Sequence, residues 1–220
     1  MILSNTQVTK LGDRLRSSDP SDDDLVMLDK FRQTFSEVDE RAYKIIQQVM
    51  TGQAGITLTK RKRKTQQSIV DKLRRQSNLR LPQMQDIAGC RIVAEGGSAF
   101  VEKIKSVLVA AFDQAEWQTE SKDRHEYGYH AIHIIVKKGA KFYEIQLRTY
   151  AQDIWANLVE RMSDEGNTLK YGGTEAEQPL MTKLKRLADE FAKIDLSADK
   201  VSLEHYQHQI EEAIRHVLSH

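Results

Sequence analysis

Two carboxylates and a dense run of cations hold most of the chemistry this sequence could perform. Glu144 lies in Lys141-Phe142-Tyr143-Glu144-Ile145-Gln146-Leu147-Arg148-Thr149. That segment alternates like a strand. Tyr143, Ile145 and Leu147 fall on one face, fit to pack on a core. Phe142, Glu144, Gln146 and Arg148 fall on the other, where a carboxylate, an amide and a guanidinium stand in a row. A solvated sheet face has the same pattern. Asp86 opens the second segment, Asp86-Ile87-Ala88-Gly89-Cys90-Arg91. An acid there can cap a turn. Beside a cationic segment it can also take a magnesium ion, which binds one or two carboxylates together with phosphate oxygens. Glu144 would be the second carboxylate, and the pair would suit phosphoryl chemistry.

The cations precede both acids. Lys60, Arg61, Lys62, Arg63, Lys64, Lys72, Arg74 and Arg75 crowd one short segment, read as a basic helix over about 60–77. On such a helix Lys64, Ser68 and Lys72 share a face, with Arg61 one turn earlier. Ile69 and Leu73 beside that row could pin the helix to a sheet. The face suits a polyphosphate. A solvated cationic helix, or an electrostatic patch for RNA, fits the composition as well. A third segment, Tyr127-Gly128-Tyr129-His130-Ala131-Ile132-His133, places Tyr129 and His133 on one strand face and His130 on the other. Tyr129 could stack a base or pack a core. His130 and His133 face apart and do not chelate one metal. There is no Gly-x-Ser-x-Gly elbow, Walker loop or dinucleotide fingerprint, so a nucleotide would be gripped by side chains.

The elements that must position these groups follow from periodicity. The chain has 220 residues and a formal net charge of +1, so any case for nucleic acid or membrane must be local. The lone Cys90 excludes an internal disulfide framework and reads as a core thiol. No signal-peptide pattern and no long apolar run are seen, and a soluble cytoplasmic protein is expected. Residues 1–20 show no apolar period. Ser21 reads as an N-cap, followed by one helical run from 25 to about 50. Strands are expected at 87–94, 115–120, 130–137 and 142–148, the last two forming a hairpin, and helices at 99–112, 149–163, 177–194 and 199–218. The fold class is α+β: a small mixed sheet flanked by N- and C-terminal helices. Its divisions are a helical region 1–50, a catalytic core 51–165, and a C-terminal loop (166–173) and helices within 166–220 that dock on the core.

Taken together, the basic segment running into Ser68-Ile69-Val70-Asp71-Lys72-Leu73, the Asp86 segment, the Gly128-Tyr129-His130 segment and the Glu144 segment resemble, in order, the RelA/SpoT synthetase family. These are ATP-dependent pyrophosphokinases that make the guanosine alarmones of the stringent response. Gln152, Trp155 and Ala156 continue the match, which covers roughly 45–165. The resemblance implies a nucleotidyltransferase-like synthetase domain and a set of roles. Arg61, Lys64 and Ser68 would hold the ATP phosphates, and Arg91 would stack on adenine. Asp86 would bind magnesium. Tyr129 would stack on the acceptor base, with His133, Gln146 and Arg148 shaping that side. Glu144 would take the proton from a ribose hydroxyl and share the metal. GDP or GTP is the implied acceptor.

Three departures stand out. Arg124-His125-Glu126-Tyr127 replaces the usual lysine and asparagine, Glu160 stands where small synthetases favour histidine, and 166–173 looks unlike them. These features are similar to the toxic branch of small alarmone synthetases. They admit the tRNA 3′ end or an adenosine nucleotide as acceptor, inhibition of translation, and an antitoxin partner. A non-catalytic RNA-binding module is the remaining alternative. It would bind RNA without needing Asp86 or Glu144.

Overall fold

A computed structural model describes residues 3–17, 19–163, 169 and 172–219. Five strands form one mixed sheet in the order β1-β2-β5-β4-β3. They are β1 (Ile56–Lys60), β2 (Gly89–Ala94), β3 (Gln118–Glu126), β4 (Tyr129–Lys138) and β5 (Lys141–Thr149). Only β2 and β5 run parallel, because α5 (Ser98–Gln114) carries the chain across between β2 and the β3–β4–β5 meander. The expected α+β class is the one found. Alternation decides which side of the sheet is dry. Cys90, Ile92, Ile134, Val136, Tyr143, Ile145 and Leu147 form a core with α3 (Ser36–Met50) and α5. Burial pushes the Cys90 thiol up to about 12, so it stays protonated and unreactive. The opposite face carries the polar row and is covered by α6 (Tyr150–Met162).

Several expectations need correction. The polar start of the chain forms α1 (Asn5–Ser17), which buries Val8, Leu11 and Leu15. Three apolar residues at helical spacing were enough, because α1 has only to cover the helix over 66–75, the turn at Leu81 and the helix over 22–33. Leu11 has no solvent exposure. Leu11→Ala is therefore expected to cost about 2–5 kcal/mol, read by urea unfolding. A cost near zero would mean α1 is a loose attachment. The run from 25 to 50 is two helices, α2 (Asp22–Gln33) and α3 (Ser36–Met50). Ser21 caps α2, as expected, by accepting from the Asp24 amide. Phe35, at the break, packs edge-on against Phe31.

The basic segment also differs. Lys60 ends β1, and residues 61–65 run on extended rather than helical. The Arg61 amide donates to Gly89 O at 3.0 Å and the Lys64 amide to Ile87 O at 2.8 Å, so sheet-like bonding outcompetes the helix there. Thr65 then caps α4 (Gln66–Arg75) by accepting from the Ser68 amide. The strand expected at 115–120 is β3, which reaches Glu126. It is an exposed edge strand that pairs residue by residue with β4 and lacks apolar alternation. The loop read at 166–173 lies outside the described residues except at 169, 172 and 173.

α7 (Gln178–Ser197) and α8 (Leu203–Ser219) dock on α6 through Leu184, Leu187, Phe191, Tyr206 and Ile210. A buried polar knot fixes them. Asp195 accepts from Tyr206 OH at 2.6 Å and from Thr149 Oγ1 at 2.8 Å, at the junction of β5 and α6. Burial raises the Asp195 carboxyl to about 6 against those two hydrogen bonds. A carboxyl raised on folding favours the fold below its unfolded value near 3.8, and that contribution is lost as pH rises through about 6. Parent minus Asp195→Asn unfolding free energy is thus expected to fall from pH 4 to pH 7. A flat difference would contradict the burial assignment.

Candidate active site

The polar face expected on β5 exists, but it is not a solvated one. Glu144 and Arg148 are 4% and 3% exposed. The register of β4 on β5 sets His133 against Gln146, and β2 on β5 sets Arg91 against Gln146 and Gly89 against Glu144. Four strand residues thus converge on one wall: Arg91, His133, Glu144 and Gln146, with Tyr129 and Arg148 one step along. His130 faces away, its Nδ1 3.1 Å from that of His125.

Glu144 is held by three donors. Arg61 Nη1 is 2.7 Å from Oε2, Gln146 Nε2 is 3.0 Å from Oε2, and His133 Nδ1 is 2.8 Å from Oε1. An ionised carboxylate only accepts, so Nδ1 carries the proton. Nε2 lies 3.0 Å from Tyr129 OH, and the Tyr129 oxygen accepts from Arg148 Nη2 at 2.9 Å. Burial favours the protonated acid at Glu144. The hydrogen bond and charge of His133, with the charge of Arg61, outweigh it and hold the carboxyl well below the usual carboxylate range.

Asp86 precedes β2 in the loop after Leu81–Gln83. Burial pushes its carboxyl up, but Lys72 and Lys64 prevail and lower it, while the charge of Glu144 opposes them. Asp86 is not an uncompensated acid, however. Lys64 Nζ lies 3.1 Å from Oδ2 and Lys72 Nζ 2.8 Å from Oδ1. α1 and α2 hold this cationic wall from behind. Arg16 Nε donates to Leu73 O at 3.0 Å, Arg32 Nε to Lys64 O at 2.8 Å, and Gln66 Nε2 to Leu25 O at 2.7 Å.

Ser68 is exposed on the first turn of α4 and accepts from Thr65 Oγ1 at 2.8 Å. No hydrogen bond among the described residues joins it to either acid. Arg91 ion-pairs with Asp153 at 3.3 Å, and Arg148 donates to the same Asp153 oxygen at 3.0 Å. Asp153 was not singled out from the sequence. Its signal is an acid in the first turn of α6, a position that usually means only helix-end electrostatics. Lys72 was placed on the Lys64 face by its spacing, and the structure brings it to Asp86.

Among the described residues, no three or more His, Cys, Asp or Glu side chains form a metal cage. No helix there is long and apolar enough to cross a membrane.

Residues 61–163 match the model described as the region found in RelA / SpoT proteins. The fold is that of a small alarmone synthetase. The crystal structure of small alarmone synthetase 1 from Bacillus subtilis superposes with a TM-score of 0.59 at 24% identity, over 85% of this chain and 100% of that one. The same Bacillus subtilis protein bound to its product pppGpp superposes with a TM-score of 0.51, over 74% and 88% of the two chains. Uncharacterized protein Rv1366 of Mycobacterium tuberculosis (strain ATCC 25618 / H37Rv) is 34% identical over 111 residues, 49% of this chain. A counterpart in Mycobacterium bovis, Mb1401, matches equally. The match spans 40% of the length of these curated relatives.

Proposed function

We propose that this protein is an ATP-dependent pyrophosphokinase that moves the β,γ-pyrophosphate of ATP onto a ribose 3′-hydroxyl, with GDP or GTP as acceptor. The observation that carries the reading is the pairing of Arg61 with Glu144 and of Lys64 and Lys72 with Asp86, two acids each held by cations of one short segment. This wall lies within the RelA/SpoT region. It carries charges of the sign and number that a triphosphate needs. That a protein of this fold has been solved with pppGpp makes a guanosine nucleotide the first acceptor to test.

In this reading the acceptor 3′-oxygen attacks the β-phosphorus of ATP. The new O–P bond forms as the bridge from the β-phosphorus to the α-phosphate oxygen breaks, and AMP leaves with that oxygen. The hydroxyl proton passes to Glu144. Arg61, Lys64 and Lys72 take the phosphate oxygens, and movement of Arg61 onto a phosphate removes one of the two donors on Glu144 Oε2, leaving Gln146. Tyr129, His133, Gln146 and Arg148 bound the acceptor side, Ser68 extends the phosphate side, and Arg91 borders adenine. The donor set fits magnesium. Asp86 and Glu144 are hard oxygen ligands, both lowered and therefore ionised, and the charge of Glu144 acts on Asp86. Bound there, magnesium would neutralise phosphate charge.

The test is incubation of purified protein with γ-labelled ATP and, separately, GDP, GTP, ATP and tRNA. Label on GDP or GTP with AMP formed is expected. Label only on tRNA or an adenosine nucleotide would move the acceptor, and no transfer to any of them would overturn the reaction.

A further inference from the structure

We infer that Asp153 is a positioning residue that joins the two substrate halves of this site, so that filling one half strengthens binding in the other. The inference rests on the pyrophosphokinase reading and deepens it. Arg91 and Arg148 lie on one sheet face, on neighbouring parallel strands, since Arg91 pairs with Gln146 and Val93 with Arg148. Two guanidinium groups so placed repel, and the charge of Arg148 does act against that of Arg91. Asp153 Oδ1 stands between them, 3.0 Å from Arg148 Nη1 and 3.3 Å from Arg91 Nη1. Its other oxygen accepts from Asn157 Nδ2 at 2.9 Å, one turn further along α6. The bridge is therefore mounted on a helix rather than on a loop.

From this bridge an unbroken line of contacts crosses the wall. Arg91 meets Asp153, Asp153 meets Arg148, and Arg148 meets Tyr129 OH at 2.9 Å. Tyr129 meets His133, His133 meets Glu144, and Glu144 meets Arg61. The ends, Arg91 and Arg61, belong to the ATP side, and the middle belongs to the acceptor side. The Nε groups of both Arg91 and Arg148 are buried without a hydrogen-bond partner among the described residues. Asp153 thus holds each guanidinium through one nitrogen, with Arg148 held also by Tyr129 OH and Gln146 Oε1, while the Nε of each remains uncommitted. Without Asp153, the two like charges lose their shared anion, and the plane of each is set independently.

The experiment is calorimetric binding of α,β-methylene-ATP, which cannot undergo the transfer, with and without GDP. Parent, Asp153→Asn and Asp153→Ala are compared, and parent transfer of label from ATP is assayed alongside. In the parent, GDP is expected to tighten analogue binding about tenfold, an ordinary size for coupling between sites. In Asp153→Ala the effect should fall below about threefold while the melting temperature stays within a few degrees. Asp153→Asn, which keeps an accepting oxygen without the charge, should fall between parent and Asp153→Ala. A purely structural role would lower the amount of folded protein and leave the coupling ratio intact. Coupling of about threefold or more in Asp153→Ala, or less than that in the parent, overturns the inference. A parent that couples poorly yet transfers label leaves the pyrophosphokinase reading standing, whereas a parent that transfers nothing removes both.

Discussion

Glu144→Gln should lower kcat by about 100- to 10,000-fold, the span that a positioned general base contributes. The substitution keeps the side-chain volume and leaves an oxygen and an amide where two oxygens were. It removes the negative charge that faces Arg61 at 2.7 Å and His133 at 2.8 Å. It also removes the anionic oxygen to which the hydroxyl proton would pass. The substitution should change stability with pH as well. The Glu144 carboxyl is depressed on folding, so its contribution is complete above its unfolded value near 4.5 and is lost as pH falls through the folded value. The acid limb of the parent's stability curve should therefore be shallower in the variant. A rate within about tenfold of the parent would remove Glu144 from the role of base.

Gly89→Ala should be the most damaging conservative change in the sheet. A Cβ at Gly89 would stand 2.3 Å from the Glu144 carbonyl oxygen and 3.3 Å from its carbon. That neighbour is backbone of the partner strand, so no side chain can swing away. The parallel pair β2–β5 must open where the Glu144 amide bonds Ala88 O at 3.0 Å. We expect a loss of about 3 kcal/mol, at the upper end of what overpacking costs. For a domain of this size that is a fall in Tm of roughly 6–12 °C. Gly139→Ala provides the comparison: its φ is +60° and nothing lies within 4 Å of the added carbon, so only backbone strain applies. That variant should lose about 1 kcal/mol. Equal losses at the two sites would contradict the close strand approach, which also sets Glu144 relative to the Asp86 loop.

Parts of this architecture are legible without coordinates because period-2 alternation is strong where one sheet face is dry. Tyr143, Ile145 and Leu147 announce β5 and its buried face, and Tyr129 and His133 share a side for the same reason. Amphipathic spacing likewise yields α5, α6, α7 and α8. What alternation cannot supply is the state of the other face. Glu144 and Arg148 read as exposed until α6 covers them. The extended path of 61–65 is hidden because a run of lysines and arginines has good helix propensity, and the competing bonds come from Gly89 and Ile87, far along the chain. The far half of β3, beyond the strand expected at 115–120, is hidden because an edge strand with both faces wet needs no apolar pattern. α1 is hidden because it buries so little. Asp153 is a residue whose importance is purely spatial. Its partners, Arg91 and Arg148, lie on two different strands, and no spacing rule links the three.

The central claim is that one wall of cations and two acids transfers an intact pyrophosphate. Quantifying AMP and labelled acceptor in one reaction, with γ-labelled ATP and GDP, tests it most directly, with Asp86→Asn as the control. The account predicts equal amounts of AMP and label on the guanosine nucleotide, and loss of both in the variant. ADP and free phosphate in place of AMP, or AMP formed equally well without the Asp86 carboxylate, would contradict it.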